Sequence, residues 1–84
     1  MQKNGYMNLA EAPAEKKLKI TEINAGGDLR KRLGVIGLHV NDVLVKQTWA
    51  KWGPILILNE SNSNAKIAIG RGLADKIIVK FLAL

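Results

Sequence analysis

The chain has 84 residues, which is enough for one domain with a small core, and it contains no cysteine, so disulfides and thiolate metal sites are excluded. Thirteen Lys and Arg against seven Asp and Glu give a net charge of +6, which favours an acidic partner such as nucleic acid, anionic lipid or an acidic protein face. No apolar run approaches the ~20 residues that a membrane helix needs, so we expect no membrane insertion and a cytoplasmic protein.

The first part of the chain predicts an extension, a strand and a helix. Residues 1–7 have no strong pattern and are interpreted as an N-terminal extension of a domain over residues 8–84, with a helical turn over 8–11 that Pro13 ends. Residues 16–23 alternate as a strand, with Leu18, Ile20 and Glu22 on one face. Residues 26–38 then predict a short helix that ends between Gly34 and Gly37.

The predicted helix has two different sides. Leu29, Leu33 and Ile36 fall at helical spacing and should pack on the strands, because a helix of about ten residues does not persist alone. Arg30 and Arg32 point away from that stripe. The helix therefore presents positive charge outward.

The remaining residues predict four more strands, over 43–48, 55–58, 65–69 and 77–82. Residues 59–64 form a polar turn with little to bury, which we expect to be a mobile hairpin tip, and residues 73–75 form a single helical turn. Five short strands with close turns favour a small closed barrel over a flat sheet, because closure protects the strand edges. The predicted fold is mainly β, a five-stranded barrel with one inserted α-helix and additional helical turns.

Two groups of residues give the chain a resemblance to a known family. The first group is Gly27, Leu29, Arg30, Arg32, Leu33, Gly37 and Leu38. The second group is Gly53, Pro54, Ile55, Ile67, Ile69, Gly70, Arg71, Gly72, Leu73, Ala74, Lys76 and Ile77. In this order and spacing they resemble the FeoA family of small SH3-like proteins that accompany the bacterial ferrous iron transporter. The chain departs from the family pattern at Val40-Asn41, where Pro-Gly is usual, and in the longer polar turn over 59–64.

The resemblance implies a cytoplasmic accessory protein that docks on the cytosolic region of the transporter and supports or regulates Fe(II) uptake. It does not imply catalysis, and the chain shows neither a general acid–base pair nor a nucleophile constellation. We therefore expect no enzyme activity and no cofactor. His39, with Asp42 three positions on, is the one imidazole and is interpreted as a turn residue, so we expect no native metal site.

Five residues are candidates for partner binding. Arg30, Lys31 and Arg32 form a cationic docking patch, for which the alternative is a solvated helix face. Trp52 is a candidate interface residue, because Trp is enriched at interaction hot spots, whereas Trp49 is expected to fold back over the end of the barrel. Arg71, in the Gly70-Arg71-Gly72 turn, completes the set.

The sequence also allows other partners and two alternative functions. The last strand is apolar on both faces, which predicts self-association or a partner surface there. A free-standing relative of the SH3-like domain of iron-dependent repressors, which would bind a peptide, is one alternative function. A basic nucleic-acid-binding barrel is another, although the chain offers only two Trp in one loop for base stacking, so a nucleic-acid partner is not expected.

Overall fold

The computed structural model describes residues 5–48 and 50–82. Six strands form one antiparallel sheet in the order β1-β6-β2-β3-β4-β5. They are β1 (Tyr6–Asn8), β2 (Lys17–Ile23), β3 (Val43–Lys46), β4 (Ile55–Asn59), β5 (Ala65–Ile69) and β6 (Ile77–Phe81). The helices are α1 (Gly27–Ile36) and α2 (Arg71–Ala74), with a 3₁₀ turn at Glu60–Asn62. The prediction of a mainly β fold with one inserted helix is confirmed, with one strand more than expected.

The sheet curls around a single core. Met7 on β1 and Ile69 on β5 lie on the two outermost strands, yet both belong to one cluster of buried side chains. A flat sheet of six strands would hold its outermost strands about 24 Å apart, too far for their side chains to share one core. The core is aliphatic, as predicted, and every strand contributes to it.

The N-terminal strand β1 changes the expected arrangement of the sheet. Tyr6 and Met7, assigned above to an extension, pair with Lys80 and Val79 of β6, so the sheet begins two residues before the predicted boundary at Asn8. Because β1 and β2 cover its two sides, β6 lies inside the sheet and is not an edge. Its apolar character agrees with this interior position. Self-association at β6 stays a prediction, and it would have to use exposed side chains such as Phe81, which is 49% exposed, rather than a strand edge.

Strand β2 contains a β-bulge that the alternating pattern does not show. The register with β6 shifts between Ile20 and Glu22. As a result Ile23 is buried and Glu22 is exposed, so the prediction that Glu22 shares the face of Leu18 and Ile20 is wrong. A bulge adds one residue and thereby exchanges the two faces of the strand beyond it.

Helix α1 forms where the sequence predicts it. Leu33 is buried and Leu29 packs against the core, and Gly37 ends the helix in the left-handed conformation at φ 99°. Ile36 is the exception, because it is 43% exposed rather than packed on the strands. None of the helices in the described ranges is long and apolar enough to cross a bilayer.

The polar turn after β4 was predicted to have little to bury, but its first residue is buried and hydrogen-bonded. Asn59 is fully buried, and its Nδ2 donates to the backbone oxygen of Gly37 at 2.7 Å and to Oδ2 of Asp42 at 2.8 Å. Its Oδ1 accepts a hydrogen bond from the Ser61 amide at 3.0 Å, and the Ser61 hydroxyl accepts one from the Val43 amide at 2.9 Å. This turn therefore joins the end of α1 to the start of β3.

Candidate functional site

Arg30 connects the predicted cationic patch to the sheet. Its Nε and Nη2 both donate to the backbone oxygen of Ile23, at 3.2 and 3.0 Å. Ile23 is the last residue of β2, so this pair of bonds fixes the first turn of α1 to that strand. Part of the donor capacity of Arg30 is therefore used within the molecule.

Lys31 and Arg32 are exposed and lie beside apolar side chains that are also exposed. Val35 is 87% exposed and Ile36 43% exposed, and both follow Lys31 and Arg32 at spacings of three to five residues on the helix. Val40, in the turn after the helix, is 42% exposed. We call these five residues the α1 surface.

The apolar half of the α1 surface is absent from the sequence prediction. The exposure of Val35 could have been predicted, because Val35 lies outside the apolar stripe formed by positions 29, 33 and 36. Of the three residues in the predicted patch, Arg30 is fixed to β2 by its side chain, whereas Lys31 and Arg32 are exposed residues of the helix.

The structure describes one of the two tryptophans. Trp52 is 79% exposed in the loop between β3 and β4, as a candidate interface residue must be. Trp49, predicted to cover the end of the barrel, lies outside the described residues. The binding role of Trp52 stays a prediction.

Lys46 is a buried cation that the sequence analysis did not single out. It is only 5% exposed, and its Nζ donates to the backbone oxygens of Leu9, Ala10 and Ala12 at 3.2, 2.8 and 2.7 Å. All three of its N–H donors are thus used within the protein. The signal was available, because Lys46 follows Leu44 by two residues in a strand and must point to the same face.

Arg71 lies close to Lys46, at the start of α2. Its Nη2 donates to the backbone oxygen of Ala50, and its Nε is buried without a hydrogen-bond acceptor. Burial, and to a lesser degree the positive charge of Arg71, lower the pKa of Lys46 from its ordinary value of 10.5. The two cations are therefore close enough to repel one another.

The two cations line one cavity of about 380 Å³. The other side chains around it are small, polar or basic, and the lining consists of Ala10, Ala12, Pro13, Ala14, Lys46, Thr48, Ala50, Lys51 and Arg71. We call this the Lys46–Arg71 cavity. Arg71 therefore differs from the other predicted binding residues, because it lines a cavity, whereas Lys31, Arg32 and Trp52 are exposed and do not line that cavity.

His39 and Asp42 stabilise a turn, as predicted. The His39 amide donates to Oδ2 of Asp42 at 2.9 Å, and the His39 Nδ1 lies 3.6 Å from the same oxygen. That oxygen also accepts from the buried Asn59. Among residues 5–48 and 50–82, no group of three or more His, Cys, Asp or Glu side chains is placed to hold a metal ion.

Comparison with known proteins gives consistent results. The model of the FeoA domain matches residues 7–81. A crystal structure of an iron uptake regulatory protein, FeoA, superposes with a TM-score of 0.81 at 27% identity, covering 92% of this chain and 99% of the other. The solution structure of FeoA from Chlorobium tepidum gives a TM-score of 0.71 at 27% identity, covering 92% of this chain and 71% of the other.

A second group of similar structures shares only the fold. A manganese-dependent transcriptional repressor superposes with a TM-score of 0.81 at 18% identity, and the match covers 98% of this chain and 45% of the repressor. No curated protein sequence matches the chain significantly. The resemblance noted in the sequence is therefore supported by both the family model and the fold.

Proposed function

Because this chain belongs to the FeoA family, we propose that it is a cytoplasmic accessory protein that docks on the cytosolic region of the membrane ferrous iron transporter. In this role it supports or regulates iron uptake as a binding module and not as an enzyme. The observation that carries the proposal is the α1 surface, where exposed cations and exposed apolar side chains share one side of a helix.

The α1 surface suits docking because it is held rigidly. Leu33 is buried in the core, Arg30 bonds to the end of β2, and the Gly37 amide donates to the backbone oxygen of Gly34 at 3.1 Å. A preorganised surface loses little conformational entropy when a partner binds. Binding energy is then available for contacts with the partner.

The composition of the surface indicates the chemistry of its partner. Lys31 and Arg32 attract an acidic segment, and Val35, Ile36 and Val40 favour apolar side chains in the same segment. We propose an acidic, partly apolar segment of the transporter as the occupant. Trp52 is proposed as a second contact, through its exposed ring.

The test compares two double variants with the same change in charge. Lys31→Glu with Arg32→Glu reverses the α1 surface, whereas Lys66→Glu with Lys76→Glu reverses two exposed lysines on β5 and before β6. Binding to the purified cytosolic domain of the transporter is measured by calorimetry. We expect the first variant to bind roughly tenfold or more weakly, because reversing two interfacial charges turns attraction into repulsion.

Val35→Asp provides an independent check of the apolar half. The side chain is 87% exposed, so the variant should fold normally and still lose affinity. Equal binding by the wild type, the Lys31/Arg32 variant and Val35→Asp would refute docking through the α1 surface. A loss of the same size in the Lys66/Lys76 variant would show attraction by net charge alone.

The similarity in fold to the repressor favours a second candidate, a peptide-binding SH3-like module. The choice of ligand distinguishes the two functions, because a peptide-binding module would bind unrelated soluble peptides as well as it binds the transporter domain. Steeply salt-dependent binding to oligonucleotides would instead support a nucleic-acid-binding barrel.

A further inference from the structure

The Lys46–Arg71 cavity carries positive charge that the protein does not neutralise. Lys46, Lys51 and Arg71 all line it, and no acidic side chain does so among the described residues. The ion pairs found in residues 5–48 and 50–82 are Lys17 with Glu60 and His39 with Asp42, so neither Lys46 nor Arg71 has a carboxylate partner there. Buried charges are ordinarily paired, because desolvation without a counter-charge is costly.

Hydrogen-bond donors accompany this charge. Arg71 uses Nη2 on the oxygen of Ala50, and its buried Nε has no acceptor. The hydroxyl of Thr48 accepts a hydrogen bond from the Leu56 amide at 2.5 Å, which leaves its own proton free to donate. Lys51 is exposed at the rim, so its ammonium can turn toward the cavity.

We propose that the Lys46–Arg71 cavity binds an oxyanion, either a free phosphate ion or a carboxylate. Lys46 contributes its charge alone, because carbonyl groups occupy its three donors. The guanidinium of Arg71 and the hydroxyl of Thr48 donate to the oxygens of the anion, and Lys51 closes the outer side.

The size of the cavity agrees with this occupant. A volume of about 380 Å³ is well above the ~10–15 Å³ that a cavity needs to hold one water molecule, so a small oxyanion fits together with several waters. A bound anion would supply the missing counter-charge, and a charge-assisted hydrogen bond to Arg71 would be among the stronger contacts available. The site is separate from the α1 surface, so it does not rest on the proposed docking.

The experiment titrates the ¹⁵N-labelled wild-type protein with inorganic phosphate and, separately, with acetate, at constant ionic strength set with chloride. The Nε–H resonance of Arg71 and the backbone amide of Thr48 report on the cavity, and the amide of Arg32 reports on the α1 surface. We expect saturable shifts at Arg71 and Thr48 only. The probe that saturates at lower concentration identifies the source of the oxyanion.

Two variants remove the same charge from different places. Arg71→Gln should weaken anion binding by roughly tenfold or more, whereas Arg32→Gln should leave it unchanged. If Arg71→Gln does not fold, the titration of the Arg71 Nε–H resonance in the wild-type protein tests the proposal without it. The absence of saturable shifts with both probes, or equal shifts at Arg71 and Arg32, would overturn the proposal. Unchanged affinity in folded Arg71→Gln would do the same.

Discussion

The buried ammonium of Lys46 gives the sharpest stability prediction, and Lys46→Met tests it. Methionine keeps the length and most of the apolar stem of lysine but cannot donate to the oxygens of Leu9, Ala10 and Ala12. These three bonds hold the segment that follows β1 against β3. Their loss leaves the carbonyl groups of buried Leu9 and Ala12 and of half-buried Ala10 without the donor that Lys46 provides.

The magnitude follows from opposing contributions. A hydrogen bond to a charged group contributes about 1.5–3 kcal/mol, and Lys46 makes three, although they share one ammonium and are not additive. Removing the charge also removes its desolvation cost and its repulsion by Arg71. We expect a net loss of about 2–4 kcal/mol, a large part of the stability of a domain of this size.

Urea unfolding monitored by circular dichroism measures the loss. Lys66→Met is the matched control, because Lys66 is exposed on β5 and its substitution should change stability by no more than about 0.5 kcal/mol. If Lys46→Met and Lys66→Met unfold at the same urea concentration, the Lys46 ammonium does not hold the N-terminal segment, and the reasoning is refuted.

Three further predictions concern pH, the polar turn and the end of α1. Burial and a neighbouring guanidinium hold the pKa of Lys46 below 10.5, so the unfolded chain binds the ammonium proton of Lys46 more tightly than the folded protein does. The stability of the wild type should therefore rise relative to that of Lys46→Met as the pH increases toward 10.5. Urea unfolding at stepped alkaline pH measures this difference. Asn59→Ala should lower the free energy of unfolding by about 2–3 kcal/mol, because it leaves buried hydrogen-bonding groups unpaired. Asn62→Ala, at an exposed residue of the same turn, should change the free energy of unfolding little. Similar losses of stability in both variants would contradict a stabilising role for the hydrogen bonds of Asn59. Gly37→Ala should lower the melting temperature, because Gly37 has φ 99° and a Cβ there would lie 2.7 Å from the side-chain nitrogen of Asn62. Gly34 has helical backbone, and a Cβ there would meet the His39 side chain at an ordinary 3.5 Å, so Gly34→Ala should stabilise the protein by about 0.5–1 kcal/mol. Equal effects of Gly37→Ala and Gly34→Ala would show that the left-handed backbone of Gly37 is not what makes glycine necessary there.

Local patterns explain what could be predicted of the fold. The Gly-rich start, the spacing of Leu29 and Leu33 and the stop at Gly37 lie within a dozen residues, so short-range preferences suffice to specify α1. Strands β3 to β6 were found in the same way, from alternation bounded by turns. Strand β1 was missed because three residues carry no period, and only pairing with β6, far along the chain, makes them a strand.

For the candidate sites too, local features were predicted from the sequence and features that depend on packing were not. The exposure of Lys31, Arg32 and Trp52 agrees with the sequence analysis, since charge and loop position are local properties. The role of Arg30 as a bond to β2 was not foreseen, and neither was the burial of Asn59. Both depend on acceptors whose positions follow from packing.

By itself, the sequence determined the family, the mainly β architecture and the position of a cationic helix, because periodicity, glycines and charge are written in consecutive residues. Only the tertiary structure decided that Lys46 would be buried beside Arg71 and would bond to a segment 34 to 37 residues earlier in the chain. The physical reason is that burial and hydrogen bonding depend on pairs of groups, and these partners become neighbours only when the sheet curls around its core.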